Sequence, residues 1–572
     1  MNEEPKQEVE AKYRGLTAEA ASQLGSATEI AEGFVAGEPV SVEHFDVYYD
    51  TKAFDVLRHG LALRVRRQDD RALLTAKSLD DHQSSALHQR AEEEAEVKRE
   101  GKPPYLKQAP DELRALVRKH KPDHGKYRPI LALRQTRTQR QLSDAAGDNG
   151  GAGEPLAELS LDEVHVLATL PPTDAHDDIL KLSETAAIAD FRELELELLP
   201  GADLERLQEL TTQLETVYDL QAAADSKLVA GLRAQAVAAG DGAKTNIQLD
   251  MHMAEATRMI WRQQMTEVVL NEHGVRHSDD PEYVHDMRVS IRRARTAHDL
   301  FGSYFRSNDV APYFKGLRHT GKLLGQVRDL DVALLRLAEE SSADAGLAPR
   351  NGAKAVETTS PEDAVALATY TVRLRDTAYK ELMDWLDGSQ YRSLVADFMA
   401  FCSTPNAGTK KSLADAYLPR PVQVQHCMPT ILVERYEQVR AYESLLAHVS
   451  DVPYDQLHAL RIQCKFLRYV LEFNRHLLGE PGEKLIKQLK LLQDHLGELN
   501  DYAVESRRWQ DLNTPELDKE PGDTGLTREI IQRRLTYLSE RSAQLRASFP
   551  AKFQRFVTED NRRLLGEAVA KF

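Results

Sequence analysis

Near the start of the chain Glu8, Glu10 and Lys12 alternate with Val9 and Ala11, so an extended backbone sets all three charges on one face. Paired carboxylates are hard oxygen donors for Mg2+ or Mn2+, and a neighbouring cation takes up the charge of phosphate oxygens. Further segments repeat the pattern with the signs sorted. Leu61–Arg66 presents Arg64 and Arg66, Leu73–Lys77 ends on Lys77, and Arg134, Arg137 and Arg140 lie in a stretch rich in Thr and Gln. Asp162 then sits within Leu159–Val164, and Glu193, Glu195 and Glu197 alternate with Leu194, Leu196 and Leu198. Carboxylates that hold a metal, beside arginines and lysines that hold phosphate, describe a metal and polyanion site suited to phosphoanhydride hydrolysis.

The elements that must position such groups are strands with one charged and one apolar face. Whole strands of carboxylates beside whole strands of arginines imply an inward polar face rather than one turned to water, which predicts an antiparallel β-barrel with a polar lumen, a tunnel. Glu92, Glu94 and Glu96 also alternate, either lining the lumen or forming a solvated charge run, and the solvated reading is favoured. Ser143 to Glu154 reads as a long hairpin loop, residues 236–246 as a domain boundary and residues 340–362 as a second linker. The expected layout is a tunnel domain over 1–236, a linker over 237–249 and an all-α domain over 250–572.

These segments together resemble the CYTH, or triphosphate tunnel metalloenzyme, domain. The resemblance runs over about residues 4–235: Glu-x-Glu-x-Lys at Glu8 to Lys12, Tyr-Tyr-Asp-Thr at Tyr48 to Thr51, Leu-x-Leu-Arg-x-Arg, Thr-x-Lys, a late Glu-x-Glu strand and a closing Ser226-Lys227. It implies a divalent cation, Mg2+ or Mn2+, held by Glu8 and Glu10 with Asp162 and two of Glu193, Glu195 and Glu197; Glu195 and Glu197, just before the Leu-Pro-Gly stop, are the favoured pair. It implies catalytic roles for Glu8, Glu10 and Lys12, and triphosphate binding by Lys12, Arg64, Arg66, Lys77, Arg137 and Lys227. Among the three arginines of that segment, spacing favours Arg137.

Beyond the boundary the period lengthens to that of helices, and the chain repeats itself. Val284–Arg295, with His285, Arg288, Arg292 and Arg295, returns as Leu457–Arg468, with His458, Arg461, Lys465 and Arg468; Leu324–Val332 returns as Leu496–Val504. In each unit the histidine and three cations fall at i, i+3, i+7 and i+10, one stripe along a helix beside an apolar stripe. Arg262 with Arg435, Lys315 with Lys487 and Arg318 with Lys490 recur at matching offsets. Local pairing of Arg295 with Asp299 and of Arg468 with Glu472 would satisfy one rung each. Adjacent like charges repel, and a ladder of them carried twice points to an anionic ligand. This half, about residues 250–565, resembles the CHAD domain, which implies two pseudo-symmetric four-helix bundles whose basic surface binds inorganic polyphosphate, with polyphosphate granules as a partner. Asn500 stands where the first unit has Arg328.

The chain of 572 residues, 41% hydrophobic and 29% charged, has the balance of a folded multidomain protein. Its net charge of -17 argues against a nucleic-acid partner. Cys402, Cys427 and Cys464 show no CxxC spacing, so neither a zinc site nor a disulfide framework is expected. With no basic and apolar leader and no long apolar run, a cytoplasmic protein without a membrane partner is expected. The chemistry favours a triphosphatase; a non-catalytic polyphosphate adaptor is the alternative, and an adenylyl cyclase stands behind both for want of a purine-recognition feature.

Overall fold

The computed structural model describes residues 7–68, 71–79, 87–98, 102–119, 126–145, 153–167, 185–223, 225–237, 246–343, 360–410, 421–448, 452–515, 517 and 525–572. For residues 7, 8, 87–91, 341–343 and 448 this covers the backbone alone. The chain forms an antiparallel sheet unit followed by an all-helical one. By contact, the first comprises Met1–Asn246 with Thr266–Tyr283 and Val395–Ala400, and the second Ile247–Met265, Val284–Leu394 and Phe401–Phe572.

The sheet unit contains strands β1 (Gln7–Arg14), β2 (Glu29–Ala31), β3 (Phe34–Ala36), β4 (Val40–Asp50), β5 (Leu61–Gln68), β6 (Arg71–Ser78), β7 (Leu87–Glu96), β8 (Arg128–Asp144), β9 (Pro155–Leu167), β10 (Ala187–Leu198) and β11 (Gln221–Ala222). They pair in the order β2-β3-β8-β4-β5-β6-β7-β1-β10-β9, with β11 on β1. β9 pairs with β8 as well, from Leu133↔Val166 to Ser143↔Pro155.

Period-two alternation sorts each strand into an apolar and a charged face. Ala11, Tyr13, Leu159, Leu161, Leu194 and Leu196 pack with Leu207, Leu210 and Leu214 of the helix Leu204–Tyr218. Val47, Tyr49, Leu63, Val65, Leu74 and Ala76 join Leu113 and Val117 of the helix Asp111–Lys119. The apolar faces are therefore the ones roofed by helices. This leaves the interleaved Glu10, Lys12, Arg64, Arg66, Lys77 and Glu195 together on the other face.

In the helical unit the apolar stripes form the core: Val284, Met287, Ile291 and Ala294 are buried in the helix Glu282–Phe301, and Leu457, Leu460, Cys464 and Leu467 in the helix Tyr454–Phe473. The expected linker begins too early, because the helix Ser307–Ala343 continues through it, held by Glu340 on the buried Arg534 at 2.5 Å. Most of the expected domain boundary, 238–245, and of the hairpin loop, 146–152, lies outside the described residues. Among the described residues no helix is long and apolar enough to cross a membrane.

Candidate functional site

The charged faces of the strands enclose a cavity of about 850 Å³. Glu10 and Lys12 from β1, Arg64 and Arg66 from β5, Lys77 from β6, Arg137 from β8, Glu195 and Glu197 from β10, and Lys227 all line it. Register explains the convergence, since Lys12 pairs with Glu195, Glu10 with Glu197 and Arg137 with Asp162 across neighbouring strands. Lys227 arrives from a helix, Lys227–Ala236, whose N-terminus is capped by Ser226 Oγ accepting from the Val229 amide at 3.3 Å. That helix lies close on β8, where a Cβ on Gly231 would meet Leu131 Cδ2 at 2.6 Å.

Arg137 donates to both Asp162 oxygens, at 2.8 and 2.7 Å, and to Glu195 at 2.5 Å. Lys227 Nζ stands 2.8 Å from Asp162, 2.9 Å from Glu193 and 2.7 Å from Glu195. Lys12 Nζ is 3.0 Å from Glu10 and 3.3 Å from Glu195, and Lys77 reaches Glu10 at 3.1 Å. Burial would raise the acids, but their cations more than reverse it. Lys12 and Lys77 hold Glu10 below the ordinary carboxylate value, Lys227 and Arg137 do so for Asp162, and Lys227, Lys12 and Arg137 hold Glu195 well below it. Burial likewise works against the charge on Lys227, and Asp162, Glu193 and Glu195 raise its pKa nonetheless.

Because these three acids are stronger in the folded chain than unfolded, their pairs stabilise the fold above the unfolded carboxylate range, about pH 4, and lose that contribution as pH falls through the lower folded values. The melting temperature is expected to hold between about pH 7 and about pH 5 and to drop below about pH 4, with Asp162→Asn flattening the drop. An Asp162→Asn profile parallel to that of the native chain would contradict this ledger of charges.

The residues fit a hard divalent cation. Oε1 of Glu10 and of Glu193 are buried oxygens without a hydrogen-bond partner, since their lysine neighbours at about 3 Å approach out of alignment. Of the expected donors, Glu10, Asp162, Glu193 and Glu195 are gathered around Lys12 and Lys227, whereas Glu197 is exposed at the cavity wall. Glu193, buried, and Glu195, half-buried, are thus the more enclosed couple than Glu195 and Glu197. The Glu8 side chain lies outside the described residues; its backbone pairs with Arg90 on β7.

Several placements depart from expectation. Glu92 and Glu94 both line the cavity, Glu92 half-buried at 2.8 Å from Lys77 and Glu94 exposed but accepting from Thr75 at 2.9 Å, because the β6–β7 register sets Lys77 opposite Glu92 and Thr75 opposite Glu94. Glu96 is exposed. Arg140 points away from the cavity and donates to the carbonyls of Gly37 and Leu24, each at 2.8 Å, as its strand parity requires. Asp46, absent from the sequence motifs, is fully buried and accepts from Arg66 Nε and Nη2 at 2.8 and 2.9 Å. Its signal was the alternation of His44, Asp46, Tyr48 and Asp50, all buried.

In the helical unit the two ladders meet. Arg288, Arg292 and Arg461 lie within electrostatic reach of one another, and Lys465 lies within reach of Arg292, Arg295 and Arg461. Arg292 Nε donates to Tyr469 at 2.8 Å, and Arg435 and Lys465 both sit over the Phe466 ring. Burial, with Arg292 adding repulsion, brings Lys465 down to about 8. Arg318 lies near Arg295, and Lys315, Arg318, Lys487 and Lys490 are exposed. Arg468 pairs with Glu472 at 2.6 Å, the local satisfaction considered for it; for Arg295 the interaction with Asp299 is electrostatic. His285 is half-buried, and His458 lies 3.5 Å from the Tyr454 hydroxyl. Arg262 is not on this surface: it is 7% exposed, in the interior beside Cys402 and Glu255.

Residues 6–229 match the CYTH domain model and residues 259–510 the CHAD domain model. Among solved structures, the CHAD domain from the plant Ricinus communis is 22% identical, with a TM-score of 0.40, over 54% of this chain and 94% of its own. PptA from Streptomyces chartreusis is 14% identical, with a TM-score of 0.37, over 53% of this chain and 99% of its own. HpAC1 from Hippeastrum, an adenylyl cyclase candidate described with a dominant triphosphatase activity, is 17% identical, with a TM-score of 0.26, over 39% of this chain and 94% of its own. No curated protein matches.

Proposed function

Because the chain carries a CYTH domain followed by a CHAD domain, we propose that it is a divalent-metal-dependent triphosphatase that hydrolyses inorganic triphosphate, or the end of a longer polyphosphate, in a tunnel formed by its strands. The observation that carries this reading is the single cavity in which Arg64, Arg66, Lys77, Arg137 and Lys227 stand among Glu10 and Glu195. An anion binder alone gains nothing from buried carboxylates, which lower anion affinity unless a cation bridges them. In this reading the strand pairings, β9 to β8 included, close the sheet as a barrel around the substrate.

Each group has a distinct task. The guanidinium forks of Arg64, Arg66 and Arg137 suit two phosphate oxygens at once, while Lys12, Lys77 and Lys227 act as point charges along the phosphate chain. Glu8, Glu10, Asp162, Glu193 and Glu195 would hold Mg2+ or Mn2+, which when bound polarises a phosphoryl oxygen and lowers the pKa of a water. The cations also stabilise charge that gathers on the leaving phosphate. Phosphate release by the purified chain from triphosphate, ATP, thiamine triphosphate and long polyphosphate, with Mg2+ or Mn2+, tests the assignment. Inorganic triphosphate or polyphosphate is expected to be cleaved fastest, and a preference for ATP would contradict it.

The helical unit, read as two four-helix bundles, gathers polyphosphate on Arg288, Arg292, Arg461 and Lys465. Since Lys465 titrates near about 8 and the anion favours its charged form, binding takes up protons and weakens as pH rises through that value. Retention of long polyphosphate in gel shift is expected to fall between about pH 7 and about pH 9, and Arg292→Glu with Lys465→Glu to weaken it about tenfold or more at neutral pH. Equal retention by this variant would reject the ladder as the binding surface.

A further inference from the structure

We propose that Asp46 is a positioning residue of the triphosphate site, the buried anchor that aims Arg66 and Arg64 at the substrate. The proposal rests on the functional reading above. On β4 the inward-facing residues are His44, Asp46 and Tyr48, and Tyr48 lines the cavity while Asp46 sits one strand repeat behind it, about 7 Å along the chain. Directly across the β4–β5 pairing Asp46 faces Arg66, and Tyr48 faces Arg64. Asp46 has no exposed surface, so it meets no substrate itself. Its two oxygens take the Arg66 fork at 2.8 and 2.9 Å, one of them accepts from Gln135 Nε2, and Arg64 Nη1 stands 3.5 Å away. Both arginines line the cavity, so one carboxylate fixes two of its cations from behind.

Geometry and charge make opposite forecasts for this residue, which makes the role testable. Asp46→Asn removes a negative charge close to an anion site, so charge alone would tighten triphosphate binding. If Asp46 acts by aim, the amide turns a donor toward Arg66, the fork loses its seat and binding weakens in spite of the added net positive charge.

The experiment is titration calorimetry of inorganic triphosphate into the full chain with Ca2+, for the native protein, Asp46→Asn, Arg66→Gln and the double variant, each with a thermal melt. Expected is a dissociation constant about tenfold or more higher for Asp46→Asn, with the double variant close to Arg66→Gln because the two act as one unit. In steady state the effect is expected in KM more than in kcat. Should the single variant fail to fold, the double variant, which removes both members of the pair, carries the test: binding equal to that of the native chain would overturn the role. Native binding with equal or tighter binding by Asp46→Asn would also overturn it, leaving the triphosphatase reading intact. Failure of the native chain to bind triphosphate would overturn that reading, and the Asp46 role with it.

Discussion

Glu195→Gln is expected to cut phosphate release from triphosphate by about 10²–10³-fold, the scale for removing one preorganised group that handles transition-state charge. Glu195 is the acid on which the cavity converges: Arg137 and Lys227 reach it at 2.5 and 2.7 Å, Lys12 lies 3.3 Å away, and it also lines the cavity. The amide keeps the volume and one acceptor oxygen but loses the charge that fixes three cations and that, in the proposed reading, would hold the divalent ion. Asp162 and Glu193 still neutralise Lys227, so the fold is expected to survive with a modest loss of melting temperature. Activity and melting are to be measured on the same sample. A folded variant within about tenfold of the native rate would remove Glu195 from the reaction.

The second large effect concerns stability. Lys227→Met is expected to cost about 3–5 kcal/mol, the range for breaking a buried ion pair from one side. The lysine is 6% exposed and touches Asp162, Glu193 and Glu195, of which the first two have no exposed surface. Without it the acids face mainly Arg14, Arg137 and Lys12, and the pKa values of Asp162 and Glu195, which Lys227 holds low, rise. The sign of the pH dependence follows: the variant's deficit is greatest near neutral pH and shrinks as pH falls toward about 5, where the acids can take up a proton. Melting curves across that range check it, and a deficit that stays constant with pH would mean that Lys227 acts by packing.

The sheet unit was legible because its strands carry their chemistry on alternate residues, so Glu10, Lys12, Arg64, Arg66 and Glu195 declare a common face without any tertiary information. Spacing alone favoured Arg137 over Arg134 and Arg140, and the pairing with Asp162 fixes the parity that turns it to the cavity. Glu92 and Glu94 stayed open between lumen and surface because their pattern is that of a surface run, and only the partner strand shows that Lys77 and Thr75 stand opposite. Asp46 shares the alternation of His44, Tyr48 and Asp50, but its role comes from Arg66 across a strand pair, which no local pattern shows. In the helical unit periodicity revealed the ladder. Only the packing of helices distant in sequence brings Arg292 beside Lys465 and Tyr469, and sinks Arg262 into the core.

The central claim is that the cavity turns over a phosphoanhydride with a divalent cation held by its carboxylates. Its most direct test is phosphate release from inorganic triphosphate by the purified full chain, first with Mg2+ or Mn2+ and then after chelation. The account predicts turnover with the ion, loss on chelation and recovery when the ion is returned. Binding of triphosphate without turnover in either metal would contradict it.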